Sequence, residues 1–243
     1  MRFVRQFRLG LMLTLALGFS FIFSCLTSGQ VSAAQTGQPV RIIFDTDLGN
    51  DIDDTLALAL IHNLQTRGEL ELLAVTMTKD NVNAERFVKM INAYYGRPDI
   101  PIGYTRSGIT KADGHYVKKV LDLRDDNGKL VFPVEFSTKE SAQYMEAVRL
   151  LRKTLAAQPD GQTVLIQVGF STNLAALLDT KPDEFSPLSG RELFAKKVKY
   201  VSTMAGGFPP LCGEHKEYNI KINIPAAQKL FAECPVPVVF SGY

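Results

Sequence analysis

Residues 41–64 read RIIFDTDLGNDIDDTLALALIHNL, and the fold turns on how this stretch divides. Ile42 to Phe44 is a short apolar run of the kind a buried strand needs. It empties into five carboxylates within ten residues: Asp45, Asp47, Asp51, Asp53 and Asp54. Carboxylates this close repel one another, at a cost of roughly several kcal/mol, unless a positive group sits among them or some face water. After Asp54 the pattern is helical, with Leu56, Leu60, Ile61 and Leu64 three and four apart. Asp53 and Asp54 then fall at the helix start, where free N–H groups and the helix dipole favour negative charge. Gly49 relaxes the backbone between strand and helix. A strand end, an acidic turn and a helix N-terminus together form the place where α/β proteins hold ligands. One loop aspartate is ordinarily solvated, and one at a helix cap is unremarkable. Five directly after an apolar strand point to a divalent cation, and all-oxygen ligands favour Ca²⁺ or Mg²⁺ over zinc.

The rest of the composition is that of one ordinary globular domain: 243 residues, net charge +2, 46% hydrophobic and 21% charged. So small a positive balance gives no reason to expect a nucleic-acid partner. Arg2, Arg5 and Arg8 precede an uncharged run from Leu9 to Phe23, and Val31-Ser32-Ala33 offers small residues for cleavage. Residues 1–34 therefore read as a secretory signal peptide, which places the processed chain in the periplasm or outside the cell. The run is short for a retained span, so no stable membrane segment is expected after processing. Phe23, two positions before Cys25, is bulky for lipid attachment and makes a lipid anchor the lesser alternative. An oxidising compartment would allow Cys212 and Cys234 to pair.

Residues 35–39 form a linker, and 40–243 read as a single α/β domain. Glu69 to Met77 is a second strand, and its continuation TKDNVN delivers Asp80 and Asn81 to the same sheet edge as the acidic turn. Asn83 is placed to cap a helix from Ala84 to Tyr95 with Phe87, Val88, Ile91 and Tyr94 on one stripe. A short strand follows in DIPIGY, then an irregular segment, 105–138, holding His115 and at most a short helix. Lys139 to Ala157 reads as a long helix with Met145, Val148, Leu151 and Leu155 inward. TVLIQVG is a buried strand that runs at once into the helix FSTNLAALLD, with Thr172 at the corner. Pro182 to Gly190 is a connection, Val198 to Gly207 a strand ending in glycines, and Pro225 suits the first turn of a helix. Glu217 and Asn219 alternate and would share a side if extended. PVPVVFSGY begins one more strand. Repeated strand, polar turn and helix units predict an α/β fold with a mostly parallel central sheet and flanking helices.

Four motifs in order, DTDLGNDIDDTLAL, VTMTKDN, VGFSTNLAALL and MAGG followed by EYNIKINIPAA, resemble the inosine-uridine preferring nucleoside hydrolases. The resemblance runs from Val40 to Tyr243 and is nearest a divergent, often exported branch that carries two extra residues, here Asp51 and Ile52. It implies the open sheet of that family, a Ca²⁺ cofactor, a nucleoside substrate and a homo-oligomer, dimer or tetramer. By position, Asp47 resembles the aspartate that contacts calcium and takes the proton from the attacking water. Asp54 resembles a bidentate calcium ligand, and Thr172 a residue lending it a backbone carbonyl. Asp53 resembles the aspartate that holds the ribose hydroxyls, although an ungapped count puts Asp51 there, and Asp45 is left without a definite part. Asn81, Glu217 and Asn219 resemble groups that bind the sugar, and Met204 part of the same wall. The family pattern extends past Tyr243, so the resemblance also implies a further calcium aspartate and a base-assisting histidine that this stretch does not contain.

The implied activity is calcium-dependent hydrolysis of ribonucleosides to ribose and free base. Nearby carboxylates and amide oxygens suit the positive charge that develops on the ribose ring. The incomplete distal ligand set keeps open a nucleoside- or sugar-binding protein without catalysis. A Mg²⁺ phosphohydrolase would also use aspartates after a first strand, but the EYN segment gives it little support.

Overall fold

The computed structural model describes residues 37–210 and 212–243, so the signal sequence read at 1–34 lies outside the described residues. The acidic stretch opens from β1 (Val40–Thr46), the central strand of a seven-stranded sheet. Its side chains alternate between two cores. Ile42 and Phe44 join the cluster on one face, and Ile43 that on the other, all at most 2% exposed. Burial on both faces is why this strand reads as a continuous apolar run.

The remaining strands are β2 (Leu70–Met77), β3 (Ile102–Tyr104), β4 (Tyr144–Glu146), β5 (Thr163–Gln167), β6 (Val198–Met204) and β7 (Val238–Ser241). They lie in the order β4-β3-β2-β1-β5-β6-β7, and every pair is parallel. The chain builds outward from β1 to β4, returns to the other side of β1 with β5, and continues to β7. The direction reverses between β1 and β5, which leaves a crevice beyond their carboxyl ends. In register, Asp45 sits beside Thr76 of β2 and Gln167 of β5.

Helices cover both faces. α1 (Asp53–Thr66), α2 (Val82–Tyr94) and α3 (Val117–Leu121) pack Leu58, Ile61, Phe87, Val88 and Leu121 into the first cluster. α4 (Ala147–Ala156), α5 (Thr172–Leu178), α6 (Gly190–Lys197) and α8 (Ile224–Glu233) fill the second, with the short α7 (Tyr218–Ile222) just before α8. Among the described residues no helix is long and apolar enough to cross a membrane.

Several local expectations shift. In α1 the buried face carries Asp54, Leu58, Ile61 and His62, while Leu56 and Leu60 are 61% and 59% exposed. The apolar residues around that helix are too many for their spacing alone to fix which face turns inward. α2 starts earlier than Asn83, because Asn81 is its cap: Asn81 Oδ1 accepts from Ala84 N at 2.7 Å. Tyr94 lies outside the buried stripe, at 75% exposure. The long helix expected from Lys139 divides, since Tyr144–Glu146 pairs with β3 as an edge strand and α4 begins only at Ala147, capped by Glu146. Helical spacing of Met145 and Val148 cannot reveal that the first of them lies in the sheet. α6 fills the stretch between the Pro182 to Gly190 connection and β6, and Ser189 and Glu192 form a capping box at its start. Glu217 and Asn219 are not extended, because Glu217 caps α7. Cys212 and Cys234 are free thiols rather than a disulfide.

Candidate active site

A cavity of about 670 Å³ opens at the switch point. Asp47, Asn50, Asp51, Asp53 and Asp54 line it from the acidic turn, with Asp113, Gly114 and His115 opposite. Val168, Met204, His215, Glu217, Tyr218, Asn219 and Tyr243 close the other side. Of the residues singled out in the sequence, Asp47, Asp51, Asp53, Asp54, Met204, Glu217 and Asn219 meet here. Asp45 lies beneath them at 1% exposure, and Asn81 and Thr172 do not line the cavity.

The deepest groups are the most perturbed. Asp54 is 6% exposed, and its Oδ2 accepts a 2.5 Å bond from Thr46 Oγ1. Burial, then the adjacent Asp47 charge, pushes the Asp54 carboxyl well above the usual carboxylate range. Asp47 is raised to about 6, chiefly by burial, against the stabilising effects of Asp54, Lys79 and Asn50. The two carboxyls lie close enough for each to act on the other's ionisation. Asp45 is raised to about 7 by burial; its Oδ1 accepts from Thr76 at 2.6 Å and Asn173 at 2.8 Å, while Oδ2 has no partner. Asp51 and Asp53 are exposed at the rim, and the Asp51 carboxyl is raised by its bond to Asp53.

The opposite wall is fixed by backbone and amides. Glu217 accepts from Asn219 N at 2.6 Å, Ile220 N at 3.0 Å and Gly206 N at 3.1 Å, so its carboxylate is locked over the turn that follows β6. The Asn219 amide nitrogen donates to Val168 O at 2.7 Å and Met204 O at 3.2 Å, leaving Oδ1 as the atom free to meet a ligand. Asn81, by contrast, is fully committed: besides capping α2, its nitrogen donates to Lys111 O and Asp113 Oδ1 at 2.7 and 2.9 Å. It holds the loop before α3 against the sheet edge. Thr172 is the first residue of α5, and its neighbour Asn173 carries the contact to Asp45.

Four lining or supporting groups escape the sequence reading: Lys79, Asn50, Asp113 and Gly114. Lys79, straight after β2, is fully buried and donates to Asn50 Oδ1 at 2.7 Å; Asn50 in turn donates to Asp47 Oδ2 at 2.6 Å. A lone lysine between Thr78 and Asp80 at a strand end was the available signal, but nothing in one dimension aims it at residue 50. Asp113 arrives on the irregular loop. Gly114 has φ +72°, and a Cβ there would meet Gly49 O at 1.7 Å, so the loop lies on the acidic turn because residue 114 is glycine.

Among the described residues no group of three or more His, Cys, Asp or Glu side chains is gathered tightly enough to hold a metal by itself. The donor chemistry still fits a hard cation. Asp47 and Asp54 supply two buried carboxylates at the wall of one cavity, and the remaining positions of an oxygen shell would fall to backbone carbonyls, water or a sugar diol.

An acidic cavity large enough for a nucleoside, at the switch point of a parallel sheet, defines an α/β protein of the ligand-binding type. The family profile described as inosine-uridine preferring nucleoside hydrolase matches residues 42–242, and the chain belongs to that family. Comparison with curated proteins gives no match. Among solved structures, similarity extends to a plant nucleoside hydrolase, PpNRh1, at 24% identity and a TM-score of 0.56, covering 84% of this chain and 60% of that one. A purine-preferring ribonucleoside hydrolase from Gardnerella vaginalis follows at 21% identity and TM-score 0.57, with coverages of 83% and 60%. The type III effector protein XopQ, solved in complex with adenosine diphosphate ribose, aligns at 19% identity and TM-score 0.58, with coverages of 84% and 56%. The chain thus spans 56–60% of the length of these structures. At such identities the likeness establishes the fold, which is the open parallel sheet expected from the sequence.

Proposed function

We propose that this chain hydrolyses the N-glycosidic bond of ribonucleosides, giving ribose and free base, with Ca²⁺ as cofactor. The observation that carries the reading is the meeting of Asp47 and Asp54 with Glu217, Asn219 and Met204 around one cavity, although they are spread over more than half the sequence. Asp47 and Asp54 would hold the cation. Bound there, it would supply orientation and acidification of a water and a grip on the ribose diol.

The protein's own groups account for the rest. Asp47 accepts the water proton as the oxygen attacks the anomeric carbon and the C–N bond breaks, the departing base taking its proton from solvent, and Asn50 holds Asp47 in place from the side. Asp53, with Asp51 beside it at the rim, would accept from ribose hydroxyls. Positive charge growing on the ring is met by the Glu217 carboxylate and Asn219 Oδ1, both fixed before substrate arrives, so little reorganisation is needed in the transition state. His115, His215 and Tyr243 line the same cavity and would flank the base; His215 and Tyr243 stack with centroids 4.0 Å apart.

The direct test is release of reducing sugar from inosine or uridine in the presence of calcium. Asp47→Asn is expected to lower the rate by about 10²- to 10⁴-fold, the usual worth of a positioned base. Failure of the wild-type chain to cleave any common ribonucleoside with calcium present overturns the proposal. Export is a separate part of the reading. It rests on Arg2, Arg5, Arg8 and the Leu9 to Phe23 run, and fractionation that leaves the protein in the cytoplasm with residues 1–34 intact would remove it.

A further inference from the structure

Lys79 is among the largest fully buried side chains of the protein, yet it is charged and stands inside the most acidic part of the fold. A lysine is almost never buried without a partner that repays its lost hydration. Among the described residues, its ammonium group donates to a neutral amide, Asn50 Oδ1, at 2.7 Å. The countercharges are Asp47, Asp113 and Asp54, which act on it through space and oppose the lowering of its pKa by burial. Because an ammonium group only donates, it fixes the Asn50 carboxamide with oxygen toward Lys79 and nitrogen toward Asp47 Oδ2, at 2.6 Å.

We propose that Lys79 is the resident counter-cation of the acidic turn, a positioning residue that fixes Asp47 through Asn50 and competes electrostatically with a divalent cation at the same carboxylates. The inference rests on the cation-site reading of Asp47 and Asp54 and deepens it. Its physical core is reciprocity. Whatever part of the stability that Lys79 lends the turn is lost when a second positive charge arrives must be subtracted from the affinity of the turn for that charge. A dication and an ammonium group acting on the same carboxylates repel each other, and at a protein-like dielectric that repulsion is strong enough to change binding by roughly tenfold or more.

The test is calorimetric titration of the wild-type chain, Lys79→Met and Lys79→Gln with calcium alone, together with thermal unfolding of each in chelator and in saturating calcium. Gln keeps a donor for Asn50 Oδ1 but not the charge. Both variants are expected to bind calcium about tenfold or more tighter than wild type, and to lose more stability in chelator than in calcium. A variant that folds only with calcium supports the inference equally. Affinities equal to or weaker than wild type, including no binding by any of the three, overturn it. So does an equal loss of stability with and without the ion, the signature of a lysine that merely fills space. Nucleoside cleavage is measured separately. Absent cleavage with tighter calcium binding by the variants removes the hydrolase reading alone, and intact cleavage with unchanged calcium affinity removes the Lys79 inference alone.

Discussion

The Asn173 carboxamide donates a 2.8 Å hydrogen bond to Asp45 Oδ1 across 128 positions of sequence, joining the first turn of α5 to the end of β1. The same nitrogen donates to Met77 O at 3.0 Å, so one side chain ties β1, β2 and α5 together directly beneath the candidate site. Asp45 is the reason this matters: a fully buried carboxyl with one oxygen already unpartnered can spare no donor.

Asn173→Ala is therefore expected to destabilise the fold by about 2–3 kcal/mol, because it leaves buried acceptors unpaired as well as removing bonds. Urea unfolding measures this; a loss under about 0.5 kcal/mol would show that the tie is not needed.

Arg152 is the second such hub. It is 2% exposed and donates to both Asp183 oxygens at 2.6 and 2.9 Å, to Thr180 Oγ1 at 2.7 Å and to Leu188 O at 2.9 Å, pinning the connection between α5 and α6 onto α4. Arg152→Met should cost about 3 kcal/mol or more, since it strands the partners of a buried charge. Arg149, whose pairs with Glu140 and Glu184 are exposed, should be replaceable with far less effect. The Arg152 bond holds Asp183 below the usual carboxylate range. Its contribution is thus present above the unfolded carboxylate value and is lost as pH falls through the lower folded one.

His62 gives a prediction nearer neutrality. It is fully buried, stacks on Tyr95, and accepts at Nδ1 from Arg97 at 3.3 Å, so Nε2 carries the proton and donates to Asn92 Oδ1 at 2.9 Å. Burial, with the Arg97 charge, lowers its pKa from 6.5. The unfolded chain binds this proton first, so the stabilisation present above about pH 6.5 fades as pH drops below it. The raised carboxyls of Asp45, Asp47 and Asp54 act in the opposite sense, and a comparison isolates the histidine. Between pH 7.5 and 5.5 the wild type should lose stability relative to His62→Gln, and parallel curves would refute the assignment.

Gly114→Ala tests the seat of the loop that forms one wall of the cavity. Its Cβ would overlap Gly49 O, at a residue with positive φ, so the loop must lift or the turn deform. A destabilisation of about 1–3 kcal/mol is expected, together with weaker nucleoside binding. Gly128→Ala, also at positive φ but with open space around it, should show the backbone part of the cost and no change in binding.

What the chain determines locally is visible in the sequence. Apolar runs ending in polar turns mark β1, β2, β5 and β6, and Pro225 marks the start of α8, because these depend only on neighbours in the chain. The DTDLGNDIDD crowding likewise announces a cation-seeking turn, since repulsion among adjacent carboxylates needs no tertiary information. Packing decided the rest. Which face of α1 is buried, and whether Tyr144–Glu146 joins a sheet or a helix, depend on partners distant in sequence that periodicity does not contain. The same holds within the site: Asp47, Asp54 and Glu217 were legible as residue types in motifs, whereas the positive group demanded by the acidic turn, Lys79, was placed among the aspartates only when β2 came to lie beside β1.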